Sequence, residues 1–146
     1  DTILKAIGRF EKYGSGADIQ KKLRDAQGIF DTLNVDLIFN MPLQDDASLR
    51  ADLAIIDSLL PDQVTFYPLM TAPSVEAALR ATLGAVDFRK EKRFYFTLLE
   101  SMRKNYTGST AWCLSRKKSM IDEYIIAYDK YIGAGSGSFG YFNDCI

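Results

Sequence analysis

Val35-Asp36-Leu37-Ile38-Phe39 is a short apolar run that contains one acidic residue, and the expected fold is built around it. The run ends at two turn-forming residues, Asn40 and Pro42. A short apolar run bounded by turn residues is typical of a strand buried in a parallel sheet. We therefore predict a buried β-strand here, with Asp36 as its one polar side chain.

A helix and a second strand follow this run. Asp45 and Asp46 can cap a segment whose apolar residues recur three or four positions apart, which predicts an amphipathic helix. Its predicted buried face consists of Leu49, Leu53, Ile56 and Leu60. Val64-Thr65-Phe66-Tyr67, closed by Pro68, predicts another buried strand. Two strands joined by one helix indicate a βαβ unit, and therefore an α/β fold with parallel strands.

Helical periodicity and capping patterns predict the other elements. Thr2 to Phe10 is a short helix candidate, and Ser15-Gly16-Ala17-Asp18 has the form of a capping box. The helix after this box places its apolar residues at helical spacing, namely Ile19, Leu23, Ala26, Phe30 and Leu33. Further helices are predicted over 74–83 and 88–103, the second with Lys90, Lys92 and Arg93 on a solvated face. Strands are predicted over 111–114 and within 128–142.

The composition bounds the class of protein. The chain has 146 residues, 47% hydrophobic and 25% charged, which fits one globular domain. A net charge of −1 without a basic block argues against nucleic-acid partners and anionic membrane surfaces. No apolar run reaches the roughly 20 residues of a transmembrane helix, so we expect no membrane insertion. The absence of histidine excludes His-dependent nucleophilic catalysis and His-ligated metals within this chain.

The cysteines and the chain ends give two further expectations. Cys113 and Cys145 are the only cysteines, and their spacing fits no zinc or iron–sulfur pattern. We therefore expect two ordinary thiols in a cytoplasmic protein. The chain begins at Asp1 without a methionine and stops in an apolar run at Ile146. We expect residues 1–146 to be one domain, an internal piece of a longer protein.

Asp36 and Arg9 are the charged residues most suited to ligand binding. An unpaired buried carboxylate is costly, so Asp36 needs either a partner or a place at the ligand-binding edge of the sheet. It either accepts hydrogen bonds from ligand hydroxyls, such as those of a ribose, or caps a loop or pairs with an Arg. Arg9, after Gly8, is either a solvated surface residue or a bidentate ligand for carboxylate or phosphate.

A run of small residues near the end of the chain is a third candidate. Gly133-Ala134-Gly135-Ser136-Gly137-Ser138-Phe139 follows apolar residues. Glycine permits close approach of the backbone to a ligand, although Gly/Ser composition also suits a plain linker. Its position after a predicted strand favours a loop at the edge of the sheet.

Four segments, taken in order, resemble one known family. Leu4 to Arg9 is similar to the family's segment that ends in Gly-Arg, and Asn34 to Gln44 to its Asn-x-Asp-Leu-Ile-x-Gly-Leu-Pro-x-Gln strand and turn. Asp62 to Tyr67 is similar to the following strand, and 133–139 to a Gly-x-Gly-Ala-x-Ser-Phe loop. The family is that of the oxygen-independent coproporphyrinogen III oxidase-like radical SAM proteins. Asn40 departs from the motif, which has Gly at this position.

The resemblance implies a fold, cofactors and site residues. The expected fold is the C-terminal half of a partial (β/α)₆ barrel with covering helices. The resemblance implies S-adenosylmethionine as cofactor, together with a [4Fe–4S] cluster whose three cysteine ligands are not in this chain. The residues expected to bind the cofactor are Arg9, Asp36, Ile38, Met70, Gly133, Gly135 and Phe139. No catalytic residue and no metal ligand is expected among residues 1–146.

The implied activity is that of an oxidoreductase fragment. The full-length protein would cleave S-adenosylmethionine and abstract hydrogen from a porphyrin-type substrate, whereas this piece alone would be inactive. Two alternatives stay open within the family, a haem-binding or haem-delivery protein and a haem-ring-opening enzyme. Cutting a barrel exposes sheet edges, so we also expect self-association of the fragment through them.

Overall fold

The computed structural model describes residues 1–117. The strands predicted within 128–142, together with Gly133, Gly135 and Phe139, lie outside the described residues. The described part contains six helices and four strands. The helices are α1 (Thr2–Ala6), α2 (Phe10–Tyr13), α3 (Gly16–Ala26), α4 (Asp46–Leu59), α5 (Pro73–Leu83) and α6 (Phe88–Met102). The strands are β1 (Asn34–Phe39), β2 (Gln63–Pro68), β3 (Thr107–Gly108) and β4 (Cys113–Ser115).

The four strands form one mixed sheet in the order β1-β2-β4-β3. β1 and β2 pair in parallel from Asn34 opposite Gln63 to Phe39 opposite Pro68, and α4 connects them. The predicted βαβ unit and the α/β class are therefore confirmed. The prediction that the strands are parallel is wrong for β4, which runs antiparallel to β2 and to β3.

The path of the chain after α6 explains the direction of β4. Tyr106 follows α6, and its hydroxyl donates to the backbone oxygen of Pro61, 3.0 Å away, just before β2 begins. β3 leaves from this end of the sheet, and β4 returns to it through the turn at 109–112, where the Ser109 amide donates to the Cys113 carbonyl. A tight turn of this kind joins antiparallel strands.

The hydrophobic core lies between one face of the sheet and two helices. The sheet contributes Phe39, Val64, Phe66 and Leu114, α4 contributes Leu49, Leu53 and Ile56, and α6 contributes Phe94, Leu98 and Met102. The predicted face of α4 is confirmed except at its last position. Leu59 is buried there, because Leu60 is already the C-cap with φ +48°.

An aromatic cluster joins α6 to the sheet next to this core. The Trp112 ring centroid lies 5.3 Å from that of Tyr95 and 6.5 Å from that of Phe39. The Tyr95 hydroxyl donates to the backbone oxygen of Ala111 at 2.7 Å, which holds the turn before β4 against α6. Helix α6, the turn before β4 and the sheet therefore meet at Trp112.

Among residues 1–117, elements cover β1 on one face only. Val35, Leu37 and Phe39 point to the core side, whereas Asn34, Asp36 and Ile38 alternate with them and are exposed. The prediction of a buried strand is therefore wrong for the face of β1 that carries Asn34, Asp36 and Ile38. Within residues 1–117, β1 is one of the two edge strands of the sheet and has helices on one side.

The N-terminal helices are short and contribute no buried residue. The predicted capping box is present, because Ser15 Oγ accepts from the Asp18 amide and the Asp18 carboxylate accepts from the Ser15 amide. α3 ends at Ala26, so Phe30 lies outside the helix and is 66% exposed. The chain leaves the helix because Gln27 is extended and Gly28 has φ +78°. Within residues 1–117, no helix has the length and apolar character needed to cross a membrane.

The packing of α4 gives a direct test of this core. Replacing Leu53, which is 2% exposed, by alanine should lower the free energy of unfolding by about 2–5 kcal/mol, because it leaves a cavity between α4 and the sheet. Urea unfolding measures the change. Leu43→Ala is the matched control, since Leu43 is 49% exposed and its loss should cost less than about 0.5 kcal/mol. Equal effects of the two variants would contradict the described core.

Candidate functional site

The face of the sheet away from α4 and α6 carries most of the polar strand residues. Side chains alternate along a strand, and the pairing of the strands places alternate residues of each on this face. We call it the polar face. It comprises Asn34, Asp36 and Ile38 of β1, Gln63, Thr65 and Tyr67 of β2, and Cys113 and Ser115 of β4.

Hydrogen bonds across the polar face orient Asp36. The Asn34 side-chain amide donates to Asp36 Oδ1 at 2.9 Å, and Thr65 Oγ1 donates to Asn34 Oδ1 at 3.3 Å. Thr65 is buried, whereas Asn34 and Asp36 are exposed. Asn34 thus links Asp36 to the buried part of the sheet. The arrangement presents an accessible carboxylate whose direction is set by its neighbours, and a carboxylate of this kind can accept hydrogen bonds from hydroxyl groups.

The other half of the polar face is closed. Gln63 Nε2 donates to Cys113 Sγ at 2.6 Å, and both side chains are buried. The hydroxyls of Ser115 and Ser109 lie 2.8 Å apart. The Cys113 thiol is free but fully buried, so it is not accessible to a ligand. An incoming molecule can therefore reach the β1 side of this face, around Asp36 and Ile38, rather than the β4 side.

A side-chain network fixes the turn that follows β1. Asn40 is fully buried and has φ +64°, in the left-handed region. The backbone amide of Asn40 donates to Gln44 Oε1 at 2.9 Å. Its side-chain Nδ2 donates to the Asp87 carbonyl at 3.2 Å and to Glu91 Oε2 at 3.3 Å. The end of β1 is thereby tied to the start of α6.

Lys90 completes this network. Its ammonium donates to the backbone oxygens of Met41, Pro42 and Gln44, at 2.9, 3.2 and 3.1 Å. Burial lowers the pKa of Lys90, while the nearby Asp87 carboxylate acts in the opposite direction. The prediction that Lys90 is on a solvated face is therefore wrong, although Lys92 and Arg93 are exposed as expected. A cation in the first turn of a helix interacts unfavourably with the helix dipole. The place of Lys90 in the first turn of α6 was therefore a signal in the sequence that its side chain has a specific structural role.

The structure brings together two of the residues that were expected to bind a cofactor. Asp36 and Ile38 share the accessible half of the polar face, and Ile38 is 45% exposed. Met70 is 74% exposed and lies two residues beyond the end of β2. Arg9 is the N-cap of α2 and stacks on Tyr13, with its guanidinium carbon 5.8 Å from the ring centroid. Sequence reasoning missed Asn34 and Thr65, which orient Asp36.

Neither a metal site nor a known relative assigns a function to the polar face. Residues 1–117 contain no group of three or more Cys, Asp or Glu side chains that could hold a metal ion. No protein-family model, no curated protein and no solved structure matches the chain.

Asp52 gives a pH-dependent test of the network around the β1 turn. Asp52 Oδ2 accepts from Gln44 Nε2 at 3.4 Å, and burial raises the pKa of this carboxyl above its ordinary value of 3.8. The folded protein therefore holds the proton more tightly than the unfolded chain, and stability falls as the pH rises through the interval above 3.8. Asp52→Asn should remove this loss.

The measurement is urea unfolding at a series of pH values between 3.5 and 7. The stability of Asp52→Asn relative to the natural chain should increase as the pH rises above 3.8 and then level off. Leu43→Ala, at an exposed residue that has no titratable group, is the control, and its stability relative to the natural chain should not change with pH in this way. A pH-independent difference for Asp52→Asn would contradict the raised pKa.

Proposed function

We propose that this chain is the central part of an oxygen-independent coproporphyrinogen III oxidase-like radical SAM protein, and that its polar face binds the ribose of S-adenosylmethionine. The observation that supports this best is the accessible Asp36 carboxylate, which Asn34 orients from one side. A carboxylate can accept a hydrogen bond from each of two neighbouring ribose hydroxyls. Ile38, on the same face two residues further along β1, offers an apolar surface beside which an adenine can lie.

The conformation of the β1 turn supports the same proposal. Asn40 occupies the position at which the family motif has glycine, and its φ of +64° is one that glycine adopts freely and asparagine tolerates. Gln44, the last residue of the motif, is buried and accepts a hydrogen bond from the Asn40 amide. The polar and glycine positions of the motif thus have identifiable physical roles in this segment.

We also propose that the sheet is part of the partial (β/α)₆ barrel that the resemblance implies. In a barrel of parallel strands, helices cover the outside and ligand-binding residues lie toward the carboxyl ends of the strands. β1 and β2, with α4 and α6 on one face and Asp36 on the other, would be two strands of such a wall. The antiparallel β4 would be a departure from the family's pattern.

The chemistry would be divided between this chain and the rest of a longer cytoplasmic protein. Two cysteines cannot supply the three ligands that the family's iron–sulfur cluster requires. These residues therefore do not fit the cluster, and no radical step is assigned to them. Their part would be to bind and orient S-adenosylmethionine through Asp36 and Ile38, so that a tetrapyrrole substrate is oxidised elsewhere in the complete protein.

Binding of the nucleoside part tests the role of Asp36. Isothermal titration with S-adenosylmethionine should give an affinity at least about tenfold lower for Asp36→Asn, since a hydrogen bond to a charged group contributes about 1.5–3 kcal/mol. Asp31→Asn, an exposed residue outside the strand, is the matched control and should bind like the natural chain.

A ligand comparison sharpens this test. Adenosine should bind more tightly than 2′,3′-dideoxyadenosine, which lacks the two ribose hydroxyls, and Asp36→Asn should abolish that preference. Binding that is insensitive to both the hydroxyls and Asp36, or no saturable binding at millimolar ligand, would count against the proposed function.

We also propose that the chain self-associates through the outer edge of β1, to which no strand within residues 1–117 is paired. Light scattering at micromolar concentration should give a mass above that of one chain. Ile38→Lys should shift the protein toward the monomer, because a charge on an edge strand opposes strand addition. Ile29→Lys is the control at an exposed residue outside the sheet. A monomer mass for the natural chain would refute the proposal.

A further inference from the structure

The turn that follows β1, residues 40–44, gathers three backbone carbonyl oxygens around a single point. The oxygens of Met41, Pro42 and Gln44 lie 2.9, 3.2 and 3.1 Å from the ammonium nitrogen of Lys90. Distances of this size are those of N–H···O hydrogen bonds. A primary ammonium has three donors and no acceptor, so three converging carbonyl oxygens satisfy it completely. We call these three oxygens the carbonyl cradle.

Hydrogen bonds that do not involve Lys90 set the shape of the carbonyl cradle. The Gln44 amide donates to the Met41 carbonyl at 2.9 Å. The Gln44 side chain accepts from the Asn40 amide at 2.9 Å and donates to Asp52 at 3.4 Å. A site whose groups are held in place before the ligand arrives loses less entropy on binding. We therefore expect the three oxygens to keep their positions when the Lys90 side chain is removed.

Charged side chains surround the carbonyl cradle without touching the ammonium. The ion pairs within residues 1–117 do not include Lys90. Burial lowers the pKa of Lys90 and Arg93 acts in the same direction, whereas the carboxylates of Asp87, Asp45 and Asp46 act in the opposite direction. Arg93 is itself bound to Asp46, with N–O distances of 3.2 and 3.0 Å. The carboxylates of Asp45 and Asp87 therefore still favour a cation here, while backbone carbonyls make the direct contacts.

We propose that the carbonyl cradle is a receptor for one primary ammonium group, and that Lys90 is its tethered ligand. A tether raises the effective concentration of a ligand, which explains how the cradle holds a cation in the first turn of α6 against the helix dipole. A free alkylammonium ion should fill the same site once the Lys90 side chain is absent. The cradle shares no residue with Asp36 and Ile38, so its existence does not depend on the proposed function.

Replacement of the tethered ammonium by a free one tests the receptor. Lys90→Ala removes the atoms of one propylammonium ion, and Lys90 is half-buried, so solvent can deliver that ion to the site. The midpoint of thermal unfolding of Lys90→Ala should lie below that of the natural chain. It should rise with propylammonium concentration, as expected for a ligand that binds only the folded chain. Tetramethylammonium, which has no N–H donor, should give no such rise.

Two variants serve as matched controls. Lys92→Ala removes the same side chain from an exposed position of α6, and its unfolding midpoint should not distinguish propylammonium from tetramethylammonium. Lys90→Met loses the charge but keeps the apolar stem that fills the space, so it should be destabilised and should not respond to propylammonium. Equal effects of the two ions on Lys90→Ala, or the same response in Lys92→Ala, would overturn the proposal.

A measurement on the natural chain tests the same site when Lys90→Ala does not fold. An ammonium whose three donors are all engaged exchanges its protons with water more slowly than a solvated one, so its N–H signal becomes visible by nuclear magnetic resonance. The natural chain should show one such lysine signal, which Lys90→Met should lose and Lys92→Met should retain. Absence of the signal from the natural chain, or its persistence in Lys90→Met, would overturn the proposal.

Discussion

The parallel pairing of β1 with β2 is the constraint on which the rest of the described structure depends. Parallel neighbours need a crossover connection, and α4 supplies it. With α6 alongside, α4 covers one face of the sheet and leaves Asp36 on the other. The same pairing brings the carboxyl ends of both strands to one edge, where the Leu69 amide donates to the Phe39 carbonyl. The side chain of Asp36 thus lies on the uncovered face because of the register in which β1 pairs with β2.

Side chains, rather than regular structure, hold the edge at which β1 ends. Lys90 satisfies three backbone carbonyls of the turn, and Asn40 links the turn to the start of α6. This order is not free of cost. Asn40 Oδ1 is buried without a hydrogen-bond partner among the described residues, and an unsatisfied buried group of this kind costs about 1–3 kcal/mol. The unsatisfied oxygen therefore lowers the stability of the fold, while the other hydrogen bonds of Asn40 and Lys90 hold the turn in a single geometry.

Local signals predicted much of this structure, and non-local contacts determined the rest. The βαβ unit and the capping box at Ser15–Asp18 follow from periodicity and from cap residues a few positions apart. The direction of β4 does not, because it depends on Tyr106 anchoring the chain to Pro61, which is 45 positions away. The one-sided burial of β1 likewise depends on which strands pair with it. Asp36 was predicted as a candidate binding residue from its place in an apolar run, but its exposure and its orientation by Asn34 and Thr65 depend on the register.

Trp112 has a consequence for how the molecule can be observed. It is the only tryptophan of the chain, and it is partly exposed while its ring packs against Phe39 and Tyr95. Indole emission responds to the polarity around the ring, so the protein carries an intrinsic optical reporter at the junction of α6, the turn before β4 and the sheet. Separation of these three elements would alter the signal, whereas fraying of the N-terminal helices would leave it nearly constant. Tryptophan fluorescence can therefore distinguish unfolding of the core from fraying of the N-terminal helices without an added label.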